Sequence, residues 1–339
     1  MRIAIVNNAL NPGSPPDEED VLAQAAAVEA AARRCGHDTL RLTCDLNLAD
    51  LRDRLIDATP DAVFNLVEAL AGTGRLLHLF PSLLDAMGLP YSGASAEALF
   101  LTSNKILAKA WLEAHGIPTP PWVGPCDGRR LCTVPPAGRR PERWIIKSVW
   151  EHASIGLDEK ALLDAAATDD LPALLLQRAP RLGGACFAEA FIEGREFNLS
   201  VLQGPAGPRV LPPAEILFEG FAPDQPRIVD YRAKWDPSAY EYHHTPRRFD
   251  VAPQDDALIG ELKALALRCW HIFDLSGYAR VDFRVDAMNR PWVLEINANP
   301  CLSPDAGFAA AIARAGLSFE QAVDEIIGAC LCKAPRTSG

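Results

Sequence analysis

Residues 277–300, GYARVDFRVDAMNRPWVLEINANP, constrain the fold more tightly than any other stretch of the chain. From 278 to 285 the pattern has a period of two, the side-chain period of a β-strand. Ala279, Val281, Phe283 and Val285 share one face, and Tyr278, Arg280, Asp282 and Arg284 share the other. Residues 286–290 make a turn, and a second strand returns. On it Val293, Glu295 and Asn297 are expected on one face and Trp292, Leu294 and Ile296 on the opposite one. Such a hairpin brings Asp282, Glu295 and Asn297 together, with Arg280 beside them. Two carboxylates and an amide oxygen suit Mg²⁺, a hard cation that takes oxygen ligands and completes its shell with water and phosphate. Histidine and cysteine are absent from the group, which argues against zinc. Alternation alone also fits a solvated polar sheet face, its acids paired to Arg280 and Arg284.

The rest of the chain supplies the setting. Over the first hundred residues, strands near 2–7, 39–43 and 61–66 alternate with helices near 18–35, 48–58 and 76–87. That order implies a parallel sheet with crossover helices. A helix near 104–115 leads into residues 117–141, which hold seven prolines. A strand at 143–148 and a helix at 158–169 follow. Long strands are then expected at 185–191, 196–203 and 209–218. Residues 218–246 read as an irregular loop of a length that in a compact domain is usually functional or disordered, and a helix at 255–273 precedes the hairpin.

Composition narrows the classes. The 339 residues carry 33 Lys plus Arg against 44 Asp plus Glu, a formal charge of −11. This disfavours nucleic acid or an anionic membrane as the main partner. No apolar run approaches the roughly 20 residues of a membrane span. The opening residues read as a strand, not a secretory leader. Nine scattered cysteines without a CxxC pair read as reduced thiols, so a cytoplasmic location is expected. Signatures of a Walker A loop, a dinucleotide-binding glycine turn after the first strand and a GxSxG elbow are missing.

The hairpin string resembles the last metal-binding motif of the ATP-grasp superfamily, most of all that of D-alanine–D-alanine ligases. Those enzymes carry an Arg-x-Asp strand, here Arg280-Val281-Asp282, and a Leu-Glu-x-Asn strand before a proline, here Leu294 to Asn297 with Pro300. Lys105 at a helix start, Lys147 at a strand end and Lys234 in Asp230-Tyr231-Arg232-Ala233-Lys234 match the family's three phosphate-binding lysines, from a chain with only seven. Residues 151–156, which include Glu151, Ala153 and Ser154, resemble the phosphate-covering loop. Residues 189–197 resemble the adenosine hinge, in which Glu189 and Ile192 face adenine and Glu196 the ribose. Residues 64–93 resemble the ligases' N-terminal domain.

The resemblance implies a three-domain ATP-grasp fold of α/β and α+β parts. Its divisions are an N-terminal parallel-sheet domain at 1–100, a small central subdomain at 101–188 and a C-terminal subdomain with the metal site at 189–332, before a tail at 333–339. It implies ATP and two Mg²⁺ ions, for which Mn²⁺ can stand in, held by Asp282, Glu295 and Asn297. Arg280 would stabilise the charge of acyl transfer, and Lys234 would close over the γ-phosphate. Small amino-acid or carboxylate substrates are implied as partners, and a homodimer.

Departures gather on the amino-acid side. Glu18 stands near the place of the glutamate that holds the first substrate's ammonium, without the family's glycine pair. The serine that partners that glutamate is Ala153. The tyrosine after the loop lysine is Trp235. Past Asn299, where the family has Gly-Met-Thr and then a carboxylate-binding serine, the run from Cys301 to Ala306 differs. These changes point to an ATP-dependent carboxylate–amine ligase with an altered amino-acid pocket. A standard D-alanine–D-alanine ligase and a non-catalytic nucleotide-binding regulator are the alternatives.

Overall fold

The computed structural model describes residues 1–10, 13–125, 141–151, 154, 156–157, 161–167, 170–222 and 225–331. The chain opens with β1 (Arg2–Asn8), α1 (Pro16–Arg34), β2 (Asp38–Cys44), α2 (Leu48–Ala58), β3 (Ala62–Leu66) and α3 (Leu79–Met87). The three strands form a parallel sheet in the order β2-β1-β3. Burial on both faces explains why Ile3–Val6 of β1 and all of β3 but Asn65 are apolar. Acids fill the first turn of α1 and arginines its last, matching the helix dipole. Gly88 ends α3 at φ 64°, a conformation that costs a glycine little.

Next come α4 (Ala96–Ser103) and α5 (Lys105–Ala114). The Asn104 side chain caps α5 by accepting from the N–H groups of Ile106 and Leu107. Beyond them β4 (Trp122–Val123), β5 (Arg143–Ser148), β6 (Leu162–Asp164), α6 (Leu171–Arg178) and β7 (Cys186–Ala190) build a four-stranded sheet ordered β4-β7-β5-β6. Here the sequence expectation needs correction. Residues 158–169 were expected to be helical. Within that range, 162–164 form the strand β6, antiparallel to β5, followed by a short 3-10 turn at Ala165–Ala167. Pairing with β5 overrides the helical preference of an Ala- and Leu-rich stretch.

The third sheet comprises β8 (Arg195–Gly204), β9 (Gly207–Val210), β10 (Ala214–Ile216), β11 (Arg247–Arg248), β12 (Tyr278–Val285) and β13 (Pro291–Asn297), in the order β11-β10-β8-β12-β13 with β9 on β8. The single strand expected at 209–218 is two strands, because Pro212 and Pro213 interrupt the ladder. The long loop contains two short helices, α7 (Tyr231–Trp235) and α8 (Tyr240–His244). The helix α9 (Asp256–Ile272), with α4 and α5, packs its apolar side on this sheet in one core that includes Phe197, Leu262 and Phe283. The helices α10 (Gly307–Arg314) and α11 (Phe319–Leu331) return to the first domain, where Phe308 and Ile326 share a core with Ile3, Ile5 and Tyr278. No described helix is long and apolar enough to cross a membrane.

Candidate active site

A cavity of about 800 Å³ lies between the four-stranded and six-stranded sheets, with loops of the first domain closing one end. That volume suits a small-molecule or cofactor site. Its floor is the β12–β13 hairpin. Asp282 pairs with Glu295 and Arg280 with Asn297 across the ladder, so the four side chains share one face. Arg280 forks onto Asp282, with Nε–Oδ1 at 2.8 Å and Nη2–Oδ2 at 2.9 Å. From the next strand, Asn198 donates to the same Oδ1 at 2.9 Å.

One part of the face assignment is wrong. The register slips between Asp282 and Phe283, so that Phe283 opposes Val293 and Leu294 is the extra residue of a β-bulge. Val293 therefore sits in the core with Phe283, and Leu294 joins Glu295 on the cavity wall. Strict alternation had placed Val293 with Glu295 and Leu294 with Ile296.

Among the described residues, no three His, Cys, Asp or Glu side chains stand close enough to hold a metal alone. Two carboxylates and an amide oxygen still fit Mg²⁺, whose preference is for a few protein oxygens completed by phosphate and water.

The three lysines line the same cavity. Lys105 opens α5 and donates its Nζ to the Glu151 carbonyl at 2.7 Å. Lys147 ends the apolar run of β5 and reaches Glu189 Oε1 at 2.6 Å. Lys234 lies on α7 of the long loop. Burial pulls Lys105 and Lys234 below the ordinary lysine range, and Glu295 is the largest opposing influence on both. Lysines from two separate elements thus face the acid of the hairpin.

At the hinge, Glu189 is buried at the end of β7 and Ile192 lines the cavity. Burial raises the Glu189 pKa, but Lys109 and Lys147 outweigh it, so the net direction is down. Lys109 was not given a site role from the sequence. Its Nζ is 2.6 Å from Glu189 Oε2 and 2.6 Å from Thr119 Oγ1. The one available signal was its position four residues after Lys105, on the inward face of a helix.

Glu196 is paired at 2.9 Å with Arg284, a second residue the sequence left without a role in this cavity. Arg284 was weighed only as a partner for the metal-site acids. Instead its guanidinium lies over the rings of Phe191 and Phe218 and donates to the carbonyls of Gly194 and Arg227.

The residues expected around an amino-acid substrate gather where the loops that follow β1 and β3 close the cavity. Glu18 lines the cavity and accepts from Ser14 Oγ at 2.7 Å. Asp20 accepts from Cys301 Sγ at 3.0 Å and Ser303 Oγ at 2.7 Å. Asn299 accepts from Tyr278 and donates to the Val67 carbonyl, which locks its amide. Ala306 lines the wall at the start of α10. Glu151 is held by Thr73 Oγ1 at 2.9 Å, so its carboxylate faces the first domain. Ser154 donates to the Val229 carbonyl at 3.0 Å. Ala153 lies outside the described residues. Trp235 lines the cavity, and its buried indole N–H meets no acceptor among the described residues.

Glu68 was missed altogether. It lines the cavity, accepts from Gln24 at 2.7 Å and is pushed up to about 7, by burial first. Burial, Glu68 and Asp20 also raise the Cys301 thiol, which keeps it protonated and a poor nucleophile.

Residues 144–328 match the family model described as D-ala D-ala ligase C-terminus. A D-alanine–D-alanine ligase of Synechococcus sp. (strain JA-3-3Ab) is 30% identical over 311 residues, covering 87% of this chain and 88% of that one. The enzyme of that name from Moorella thermoacetica is 30% identical over 341 residues, covering 98% and 99%. The crystal structure of D-alanine–D-alanine ligase from Bacillus anthracis complexed with ATP superposes with a TM-score of 0.73 at 20% identity, covering 98% of this chain and 97% of that one.

Proposed function

Because the chain belongs to the D-alanine–D-alanine ligase family of ATP-dependent, ADP-forming carbon–nitrogen ligases, we propose that it joins two amino-acid-like substrates in a pocket altered from the usual one. The γ-phosphoryl group of ATP passes to a substrate carboxylate oxygen, leaving ADP and an acylphosphate. An amine then attacks the activated carbonyl carbon. The C–N bond forms, the amine gives up a proton, and the C–O bond breaks to release inorganic phosphate.

Such a transfer depends mainly on positioning and on stabilising charge. ATP would lie between the subdomains at 101–188 and 189–332. Lys105, Lys147 and Lys234 would grip its phosphates, with Glu189 and Ile192 at adenine and Glu196 at ribose. Asp282, Glu295 and Asn297 would hold Mg²⁺ or Mn²⁺, which supplies charge neutralisation between the phosphate oxygens. Arg280, fixed by its fork to Asp282, would face the oxyanion of the tetrahedral intermediate. Glu18 is the candidate for the first ammonium. The loop around residues 220–245 would shut out water that otherwise hydrolyses the acylphosphate.

The register of Asp282 against Glu295 beneath two buried lysines carries the ligase reading. The Trp235 indole, without an acceptor among the described residues, and Cys301, tied to Asp20, support the altered pocket. The names of the similar proteins favour the second reading, a standard D-alanine–D-alanine ligase. Phosphate release over a panel of D- and L-amino acids, singly and in pairs, separates them. The altered pocket predicts poor turnover with D-alanine alone, and efficient D-alanyl-D-alanine synthesis would restore the standard enzyme. Asp282→Asn and Glu295→Gln should abolish ADP formation in every pairing while the circular dichroism spectrum is kept; turnover near that of the parent would remove the metal assignment.

A further inference from the structure

Three arginines line the cavity, and two of them are paired: Arg280 with Asp282 and Arg284 with Glu196. The third, Arg247 on β11, forms no ion pair among the described residues. Its Nη1 donates to the Asp305 backbone carbonyl at 2.9 Å, and its side chain lies against Gly307 at the start of α10. The adjacent Arg248 points the other way and is paired with Glu215 at 2.5 Å.

Position separates Arg247 from the nucleotide end. The charged and polar groups that act on it most strongly are Arg280, Asp305, Cys301 and Tyr242. Arg247 keeps an exposed side at the cavity mouth, and desolvation of the rest, then the field of Arg280, pulls its pKa down. Two guanidiniums that repel across a cavity are stabilised when an anion enters between them.

Arg280, the other guanidinium at this end, is already forked onto Asp282 and is assigned to the developing oxyanion. Arg247 is a further cation beyond that requirement.

We propose that Arg247 recognises a side-chain carboxylate on the second, attacking substrate, so that this substrate is a dicarboxylic amino acid. The assignment rests on the ligase reading for its place in the reaction, but the site itself is testable by binding.

Two measurements decide it. Steady-state phosphate release is recorded for D- and L-aspartate and glutamate against D- and L-alanine as the second substrate, in the parent protein and in Arg247→Ala and Arg247→Lys. Binding of the same amino acids in the presence of ADP and Mg²⁺ is measured by calorimetry. The expected result is a preference of the parent for a dicarboxylic acid. In Arg247→Ala the ratio of kcat/KM for that acid over alanine should fall about 30-fold or more, through KM, with partial rescue by lysine. Equal losses on both substrates in Arg247→Ala, or a parent that prefers alanine, would overturn the proposal. If no pairing releases phosphate yet aspartate or glutamate binds in a manner that Arg247→Ala removes, the site stands and the ligase reading falls. If alanine turns over and neither dicarboxylic acid binds through Arg247, the ligase stands and this site falls.

Discussion

Glu68 shows how much a single carboxyl can report about this cavity. It follows β3 by two residues, lines the wall and is tied to Gln24. Burial raises its pKa from 4.5 to about 7, and Asp20 and Asp17 add to the shift while the Gln24 bond opposes it. Between those two values the folded protein holds a proton that the unfolded chain has released. Stability from this group is therefore complete below about pH 4.5 and falls as the pH climbs through 7. The loss at higher pH is at most about 3 kcal/mol, at about 1.36 kcal/mol per unit. In Glu68→Gln that component is absent, so urea midpoints at pH 5 and pH 8 should differ less than in the parent. Identical slopes in the two proteins would show that Glu68 titrates normally. Chemistry was legible at this scale where residue type and spacing coincide, as for Asp282, Glu295 and Asn297. It was not legible for Glu68, Arg247 or Arg284, whose meaning lies in neighbours that the sequence does not put beside them.

Elements were legible in proportion to how much of their pairing is local. The hairpin and the strand–helix alternation of the first domain follow from periodicity and turn residues. The bulge at Leu294 does not, because an extra residue leaves the apolar pattern nearly intact while it exchanges the faces of two side chains. The stretch at 162–164 became a strand because β5 offered an edge, a fact of assembly and not of propensity. The same holds for the junction of α5, β5 and β7. Lys109, Lys147 and Glu189 come from these three elements and meet with two ion pairs at 2.6 Å. Lys109 is 1% exposed and bonds Thr119 and the Pro120 carbonyl as well, so the pair is shielded from solvent and fully bonded on the lysine side. Removing Lys109 leaves the buried Glu189 with Lys147 as its remaining cation, so the cost falls toward the lower end of the about 3–5 kcal/mol of a broken buried pair. Lys109→Met should lower unfolding stability by that order and raise KM for ATP, since Glu189 loses one of the two cations that orient it. A variant as stable as its parent in urea would show that the junction does not depend on this pair.

At the scale of the whole molecule, three parts close on one cavity through contacts far apart in the chain. Tyr231 on α7 donates to Asp17 Oδ1 at 2.7 Å across a separation of 214 positions. Glu151 reaches Thr73, and Ser154 bonds Val229 in the long loop. The family resemblance predicted that a loop would cover the site, but not what would hold it. The Tyr231 phenol is raised to about 12, by burial and by Asp17, so it stays protonated and able to donate across the neutral range. A hydrogen bond to a charged acceptor contributes roughly 1.5–3 kcal/mol. If that bond biases the loop toward closure, Tyr231→Phe shifts the balance toward an open state in which water reaches the acylphosphate. The expected outcome is a several-fold rise in phosphate released per amide formed, with ADP formation itself less affected because Lys105, Lys147 and the hairpin are untouched. Both products can be counted in one reaction. An unchanged ratio, with KM for the first substrate also unchanged, would mean that the loop is held by Ser154 and its own core, and that the bond to Asp17 accompanies closure without driving it.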